Sequence, residues 1–404
     1  MTLGFSQLGL LLFISTLVAM LTRRLRMPYT VGLVLAGMAL HLFAVRLTLN
    51  LSKDLIFYVF LPPLVFEAAL YIRWRELKRD LPVVGSLATV GLVGAAAVTA
   101  IGMHYAVNWS WSSAAVFGVL IAATDPVSVI ATFKEAGVKG RLRLLVEAES
   151  LLNDGTAAVL FAVALGIAAG TGVDLWQVGT SLLLTMGGGV LCGAATGFVL
   201  MFLAGRTSDQ LIEITCTTLA AYGSFYVAEH FHFSGVLAAL AAGLVAGNYG
   251  RFGSISKAGH LAVQSFWDYV AFVVNSLIFL LIGTGETQQH FAALWWPVLV
   301  AILLVTLGRA VAIYPICALF VRSGLKVDPQ HQHVLFWGGL RGALALALAL
   351  GLPPELPLRD EIVTVSFAVV AFSIFAQGLT MKPLLRKLEQ LRAKDREPDK
   401  VPDG

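Results

Sequence analysis

Two carboxylates, Asp125 and Asp154, stand in consecutive apolar stretches of a 404-residue sequence; residues 121–161 read IAATDPVSVIATFKEAGVKGRLRLLVEAESLLNDGTAAVLF. An ionisable side chain at bilayer depth is costly, and it is usually kept there for binding or for carrying a proton. Ser150 and Asp154 lie four residues apart and share a helix face, while Glu149 and Asn153 share the adjoining one. Thr124 precedes Asp125 and Pro126, and a proline removes a backbone N–H and frees carbonyls of the preceding turn. Asp154, Ser150 and Thr124 therefore offer oxygen ligands to a dehydrated alkali cation, since oxygen ligands suit hard cations. Burial disfavours the charged form of a carboxylate and a nearby arginine favours it, so an aspartate held between the two lets a proton and a cation compete for one place. Asp154 reads as the exchanging group, with Asp125 shaping its site.

The chain that must position these groups is 58% hydrophobic and 13% charged, with a mean hydropathy of +0.82. Soluble domains carry about one-quarter charged residues, so this is an integral membrane protein. The three cysteines lie in apolar segments without CxxC spacing and give neither a disulfide framework nor a metal site. Apolar runs of spanning length fall at about 5–22, 29–46, 54–72, 82–107, 112–133, 143–169, 176–203, 209–230, 233–247, 261–283, 293–321, 332–350 and 362–381. The second and ninth, short and glycine-rich, read as re-entrant or tilted.

Of the 28 Lys and Arg residues, 23 follow odd-numbered runs, three lie on the other side (Arg46, Lys53, Arg359) and two lie within runs (Arg309, Arg341). This bias orients the protein with its N-terminus outside and its C-terminus in the cytoplasm. The basic cluster Arg23, Arg24 and Arg26 follows the first run, the reverse of a cleaved signal, so the first run is expected to be retained. A pI near 9.0 thus reports loop topology and no nucleic-acid partner. Trp109, Trp111, Trp295 and Trp296 fall at outer boundaries, as an aromatic belt would.

Runs one to six and eight to thirteen have similar lengths and opposite orientation, which fits an inverted repeat with the seventh as connector. In that pairing the fifth run, interrupted at Thr124-Asp125-Pro126, matches the twelfth, interrupted at Gly338-Gly339-Leu340-Arg341-Gly342. Broken backbone at membrane depth survives only within protein or against a watery cavity, so the matched breaks point to a transporter's binding site. At about 1.5 Å per residue, Asp125, Asp154 and Arg341 lie near the midplane, and Glu149, Arg309 and Glu67 form a layer below. Glu149 with Arg309 reads as a structural ion pair fixing helix register. Arg341 either tunes Asp154 or caps the broken twelfth helix. Glu147, on the face of Asp154 near the inner mouth, has a weaker claim as a cation funnel than as a solvated charge. Asp268, Glu213 and Glu229 read as interfacial or domain-contact groups, and the His331-x-His333 pair as headgroup-level residues.

Taken together, Thr124-Asp125-Pro126, Glu149-Ser150-Leu-Leu-Asn153-Asp154-Gly155, the run from Leu61-Pro62-Pro63 to Glu67, and Gly338-Gly339-Leu-Arg341-Gly342 resemble the monovalent cation/proton antiporters, specifically the electroneutral sodium/proton exchangers of the prokaryotic NhaP type. The resemblance covers essentially the whole chain. It implies an all-α polytopic fold of about 13 transmembrane helices, with inverted repeats and two broken crossing helices. It implies a homodimer in the cell inner membrane, in which a core bundle moves against a dimerisation domain like an elevator, and a role in sodium transport and pH homeostasis. Helices one to three (within 1–107) and eight to ten (209–290) would form the dimerisation domain. Helix four, helices five and six with the ion site (108–170) and helices eleven to thirteen (291–381) would form the core. Residues 171–208 would supply the connecting helix and 382–404 a short cytoplasmic tail.

Carried over by position, Asp154 is the ion-binding and proton-accepting carboxylate, Ser150 and Thr124 are ligands, and Asp125 and Glu67 are nearby. Asn153, Glu149, Arg309 and Arg341 match supporting residues. The electrogenic branch has Asp where this chain has Asn153, which favours one-for-one exchange of Na+, or Li+, for H+, with no cofactor and no enzyme activity. A K+/H+ exchanger with the same motifs is the nearest alternative. An intramembrane aspartic protease would want paired carboxylates without adjacent basic groups. A cation channel would want rings of carbonyls or carboxylates around a pore.

Overall fold

The computed structural model describes all residues except 1, 26, 44–50, 126, 171–174, 250–255, 287, 288, 290 and 395–404. Arg26, Arg46, Pro126, Arg251 and the end of the tail therefore lie outside the described residues. Helix is the only regular structure among those described. The elements are α1 (Thr2–Leu25), α2 (Tyr29–Leu42), α3 (Leu61–Tyr71), α4 (Trp74–Ser86), α5 (Leu92–Val107), α6 (Trp111–Ala122), α7 (Val127–Ala136), α8 (Arg141–Ala168) and α9 (Leu175–Ala204). They continue with α10 (Gln210–His230), α11 (Gly235–Tyr249), α12 (Lys257–Glu286), α13 (Trp295–Leu319), α14 (Pro329–Trp337), α15 (Ala343–Leu350), α16 (Arg359–Phe372) and α17 (Gly378–Lys394). Wider helical turns at Leu55–Phe60, Leu87–Gly91 and Ser373–Gln377 lead into α3, join α4 to α5, and join α16 to α17.

Among the described residues, eight helices are long and apolar enough to cross a membrane unaided, and four shorter apolar helices, α2, the α3 unit, α6 and α11, stand with them. The helices follow the order of the thirteen predicted runs, several reaching beyond them, although thirteen full-length spans are not seen among the described residues. The second and ninth runs are plain helices, of 14 and 15 residues, not re-entrant loops. The charged segment before the fourth run is not a loop: α4 starts at Trp74 and carries its basic residues on its first turns, with Leu77 and Asp80 turned inward. The tail after Met381 continues as helix to Lys394.

Local chemistry sets several boundaries. Asn108 in the left-handed region (φ 60) stops α5, and Ser110 caps α6 by accepting the Ser113 N–H at 3.2 Å. Asp209 caps α10 through the Leu211 N–H at 2.8 Å, and Pro329 opens α14 where its missing N–H costs nothing. The turn at Asn108 also sends Trp109 inward, 2% exposed, so it is no member of an aromatic belt; Trp111, Trp295 and Trp296 remain exposed.

The packing follows the repeat. α2 lies on α12, and α3 on α11, the pairs that the twofold relation exchanges; α5 packs on α13, which it exchanges with each other. Helices in lipid gain no hydrophobic drive from meeting, so close contact depends on small residues. A side chain on Gly37 of α2 would run into the Leu280 backbone of α12, and one on Gly243 of α11 into Phe66 of α3. One set of helices thus contains α1–α3 and α9–α12, and the other α4–α8 and α13–α17.

Candidate functional site

A cavity of about 450 Å³ lies between the two sets. One side is formed by α1, α2, α3 and α12, the other by the α6–α7 break, α8 and the start of α15. Thr124, Asp125, Asp154 and Glu67 line it, and toward the ends of α1 and α8 so do Arg23, Arg143 and Glu147. Asp154 is 9% exposed, within electrostatic reach of Asp125 and Glu149.

Behind Thr124 sits a buried polar layer. The Thr124 hydroxyl lies 3.0 Å from that of Ser150 and accepts from Asn153 Nδ2 at 2.7 Å. The same Nδ2 donates to Glu149 Oε1 at 2.9 Å, and the Thr124 N–H donates to Asn153 Oδ1 at 3.3 Å. Arg309 of α13 grips Glu149 bidentately, Nη1 to Oε1 at 2.7 Å and Nη2 to Oε2 at 2.8 Å. Its Nε and Nη2 also donate to the Leu335 carbonyl at the end of α14, at 3.2 and 2.9 Å. A bidentate arginine–carboxylate pair is strong and geometrically specific, and here it ties α8, α13 and α14 together. The expected Glu149–Arg309 layer is thus present.

The two breaks meet. The chain leaves helix at Ala123 (φ −60, ψ 144), and the Asp125 N–H donates to the Leu340 carbonyl at 2.7 Å. The Asp125 carboxylate accepts from the Val127 N–H at 2.9 Å, opening α7, and from the Ala343 N–H, opening α15. Arg341 Nη1 in turn donates to the carbonyls of Ala122 and Ala123, where α6 ends. Negative charge at helix N-termini and positive charge at a C-terminus are the favourable signs. Two glycines of the second break make room: a Cβ on Gly339 would meet the Arg309 side chain, and one on Gly342 the Asp125 carboxylate.

Two expectations change. Arg341 makes its hydrogen bonds with the broken fifth helix rather than capping the twelfth or pairing with Asp154. Ser150, 2% exposed, does not line the cavity, and its hydroxyl faces Thr124. The structure also brings groups the sequence did not assign to the cavity: Asp268 of α12 lines it and accepts from the Tyr71 hydroxyl at 3.0 Å. Glu147 pairs with Arg143 at 2.8 Å on the cavity wall. Glu213 accepts from the Ser256 N–H at 2.9 Å, and Glu229 from the Gly235 N–H at 2.9 Å, both as structural groups. His333 meets the Tyr314 hydroxyl at 2.9 Å, and no cluster of metal-binding side chains occurs among the described residues.

A helical membrane protein built on paired repeats, with two interrupted helices crossing beside buried carboxylates, is of the cation/proton antiporter class. The family described as sodium/hydrogen exchanger, transmembrane, matches residues 9–387. The Na(+)/H(+) antiporter ApNhaP of Aphanothece halophytica is 39% identical over 371 residues, covering 90% of this chain and 70% of that protein. The Na(+)/H(+) antiporter NhaH of Halobacillus dabanensis is 34% identical over 398 residues, 95% of this chain and 98% of its own. The fold matches the solved structure of the sodium proton antiporter MjNhaP1 from Methanocaldococcus jannaschii at pH 8, with a TM-score of 0.73, 19% identity and 97% of each chain covered. The chain belongs to the sodium/hydrogen exchanger family.

Proposed function

We propose that the protein exchanges Na+, or Li+, for H+ one for one, with Asp154 binding either ion in turn. The observation that carries this is how the charges around the cavity's inner end are engaged. Glu149 is held by Arg309, while Asp125 and Arg341, opposite in sign, serve helix ends. Asp154, on the cavity wall with Glu67 and Asp268, is the carboxylate beside the crossing that we assign to exchange, and one bound Na+ or one proton neutralises it. Asn153 supports the same count, because it bridges Thr124 and Glu149 as a neutral donor. Thr124 lines the cavity, and its hydroxyl and that of Ser150, which meet in the layer behind it, join the ligand set by turning toward the ion. Glu67 lies on the route in.

Arg23 and Arg143 mark the cavity mouth, so the positive-inside bias makes the mouth cytoplasmic and the N-terminus external. The cavity separates the two helix sets, which fits an elevator cycle in which α4–α8 and α13–α17 slide against α1–α3 and α10–α12, the latter pairing with a second copy as a homodimer. The test is a pH-dye assay in proteoliposomes, adding NaCl, LiCl and KCl in turn, with and without a valinomycin–potassium voltage clamp. Sodium and lithium should give a signal that the clamp leaves intact, and Asp154→Asn should abolish it. A response to potassium alone would change the substrate, and cation-driven proton flux through Asp154→Asn would remove Asp154 from the mechanism.

A further inference from the structure

A second, much smaller cavity lies on another side of the crossing and shares no lining residue with the first. Thr306 and Arg309 of α13, Gly339 and Arg341 of the second break, and Ser373 and Gln377 of the wider turn between α16 and α17 line it. Its volume is about 10 Å³, the space of one water molecule. Arg341, 2% exposed, donates from Nη1 to two carbonyls. Among the described residues, no protein group accepts a hydrogen bond from its Nε. A charged donor so deeply buried calls for an acceptor.

The lining favours water over a small anion. An anion only accepts, and would need donors on every side. Arg309 directs four of its five N–H groups to Glu149 and Leu335, and the Thr306 hydroxyl donates to the Ile302 carbonyl at 2.7 Å. Thr306 therefore presents lone pairs, as the amide oxygen of Gln377 can. A water satisfies both demands, accepting from Arg341 Nε and donating to Thr306 Oγ1 and to Gln377 Oε1. Ser373 and Gln377 are 2% and 6% exposed, so they have little access to bulk water. Wider helical turns of this kind occur often at functional sites.

We propose that this cavity is a built site for one bound water, through which Gln377 and Ser373 act as positioning residues for Arg341. The wider turn is thereby linked to the end of α6, because the guanidinium that holds the water also holds the Ala122 and Ala123 carbonyls. A shift of the turn displaces Arg341 and, with it, the backbone that presents Thr124 and Asp125 to the cation cavity.

The test has two arms. Structures determined at water-resolving resolution in chloride and in bromide should both show a peak within hydrogen-bond reach of Arg341 Nε, with no anomalous signal from bromide there. A bare cavity, or a bromide peak, overturns the water site. The second arm rests on the antiport reading and measures Na+-driven exchange by Gln377→Leu and Ser373→Ala, normalised to folded protein. Gln377→Leu should lower the rate several-fold and move the pH–activity profile, with Ser373→Ala showing a smaller shift. A profile that keeps its midpoint in both variants overturns the positioning role, since loss of folded protein alone would scale the curve without moving it. If the wild-type protein showed the water but exchanged no cation, the functional reading would fail and the site would stand.

Discussion

The two breaks occupy matching places in the repeat and differ in what they contribute. The first supplies an acid, Asp125, and the second a base, Arg341, and each reaches beyond its own helix pair. Asp125 accepts from N–H groups that open α7 and α15, while Arg341 donates to carbonyls that close α6. The charges follow the helix-end dipoles, so the two charges at the breaks are engaged by backbone. The lesson is that a charge at bilayer depth need not be the transported ion's partner. Asp154, which sits within an unbroken helix, has no helix end to serve.

That comparison can be broken at several points. Arg341→Met should lower stability by about 2–5 kcal/mol, because two buried carbonyls lose their donor, and thermal unfolding in detergent would read it. A melting temperature equal to wild type would show that the arginine does not hold α6. Gly342→Ala, whose methyl needs the place of the Asp125 carboxylate, should cost about 1–3 kcal/mol as an overpacking change and should depress exchange far more than abundance. Wild-type exchange in this variant would mean that the two breaks tolerate separation.

Asp125 itself allows charge and cap to be separated. Asp125→Asn keeps an oxygen for the Val127 N–H, so stability should change by less than about 1 kcal/mol, against about 1–2 for Asp125→Ala. Equal losses in the two variants would assign the effect to charge rather than to the cap. Ser150→Ala should cost about 1 kcal/mol for one lost hydrogen bond, with a smaller rise in the KM for Na+ than Thr124→Ala. The reverse order of KM values would place Ser150, and not Thr124, nearest the ion.

Much of this was legible from residue types and spacing. The run lengths placed nearly every helix, and the height of Glu149 and Arg309 in their helices anticipated the ion pair. What spacing cannot supply is direction around the axis. Arg341 and Asp154 share a depth, yet the guanidinium turns to Ala122 and Ala123. Ser150 and Asp154 share a face to within about one-ninth of a turn, and that offset is enough to leave one on the cavity wall and the other behind Thr124. Asp268 and Tyr71 meet across 197 residues of sequence, and neither stands at a break or at the midplane. Trp109 misled because a boundary position predicts height, while the turn at Asn108 sets which way the ring points.

The hydrogen bond from Arg341 to Ala122 spans 219 residues, and this bears on how the protein is made. Synthesis proceeds at about 5–20 residues per second, so roughly 10–40 seconds separate the emergence of the α6 carbonyls from that of the arginine that receives them. Through that interval the first half of the nascent chain carries an unfinished helix end in the membrane, which neighbouring water, lipid headgroups or the insertion machinery must shelter. A residue from the second half of the chain thus completes a helix end in the first.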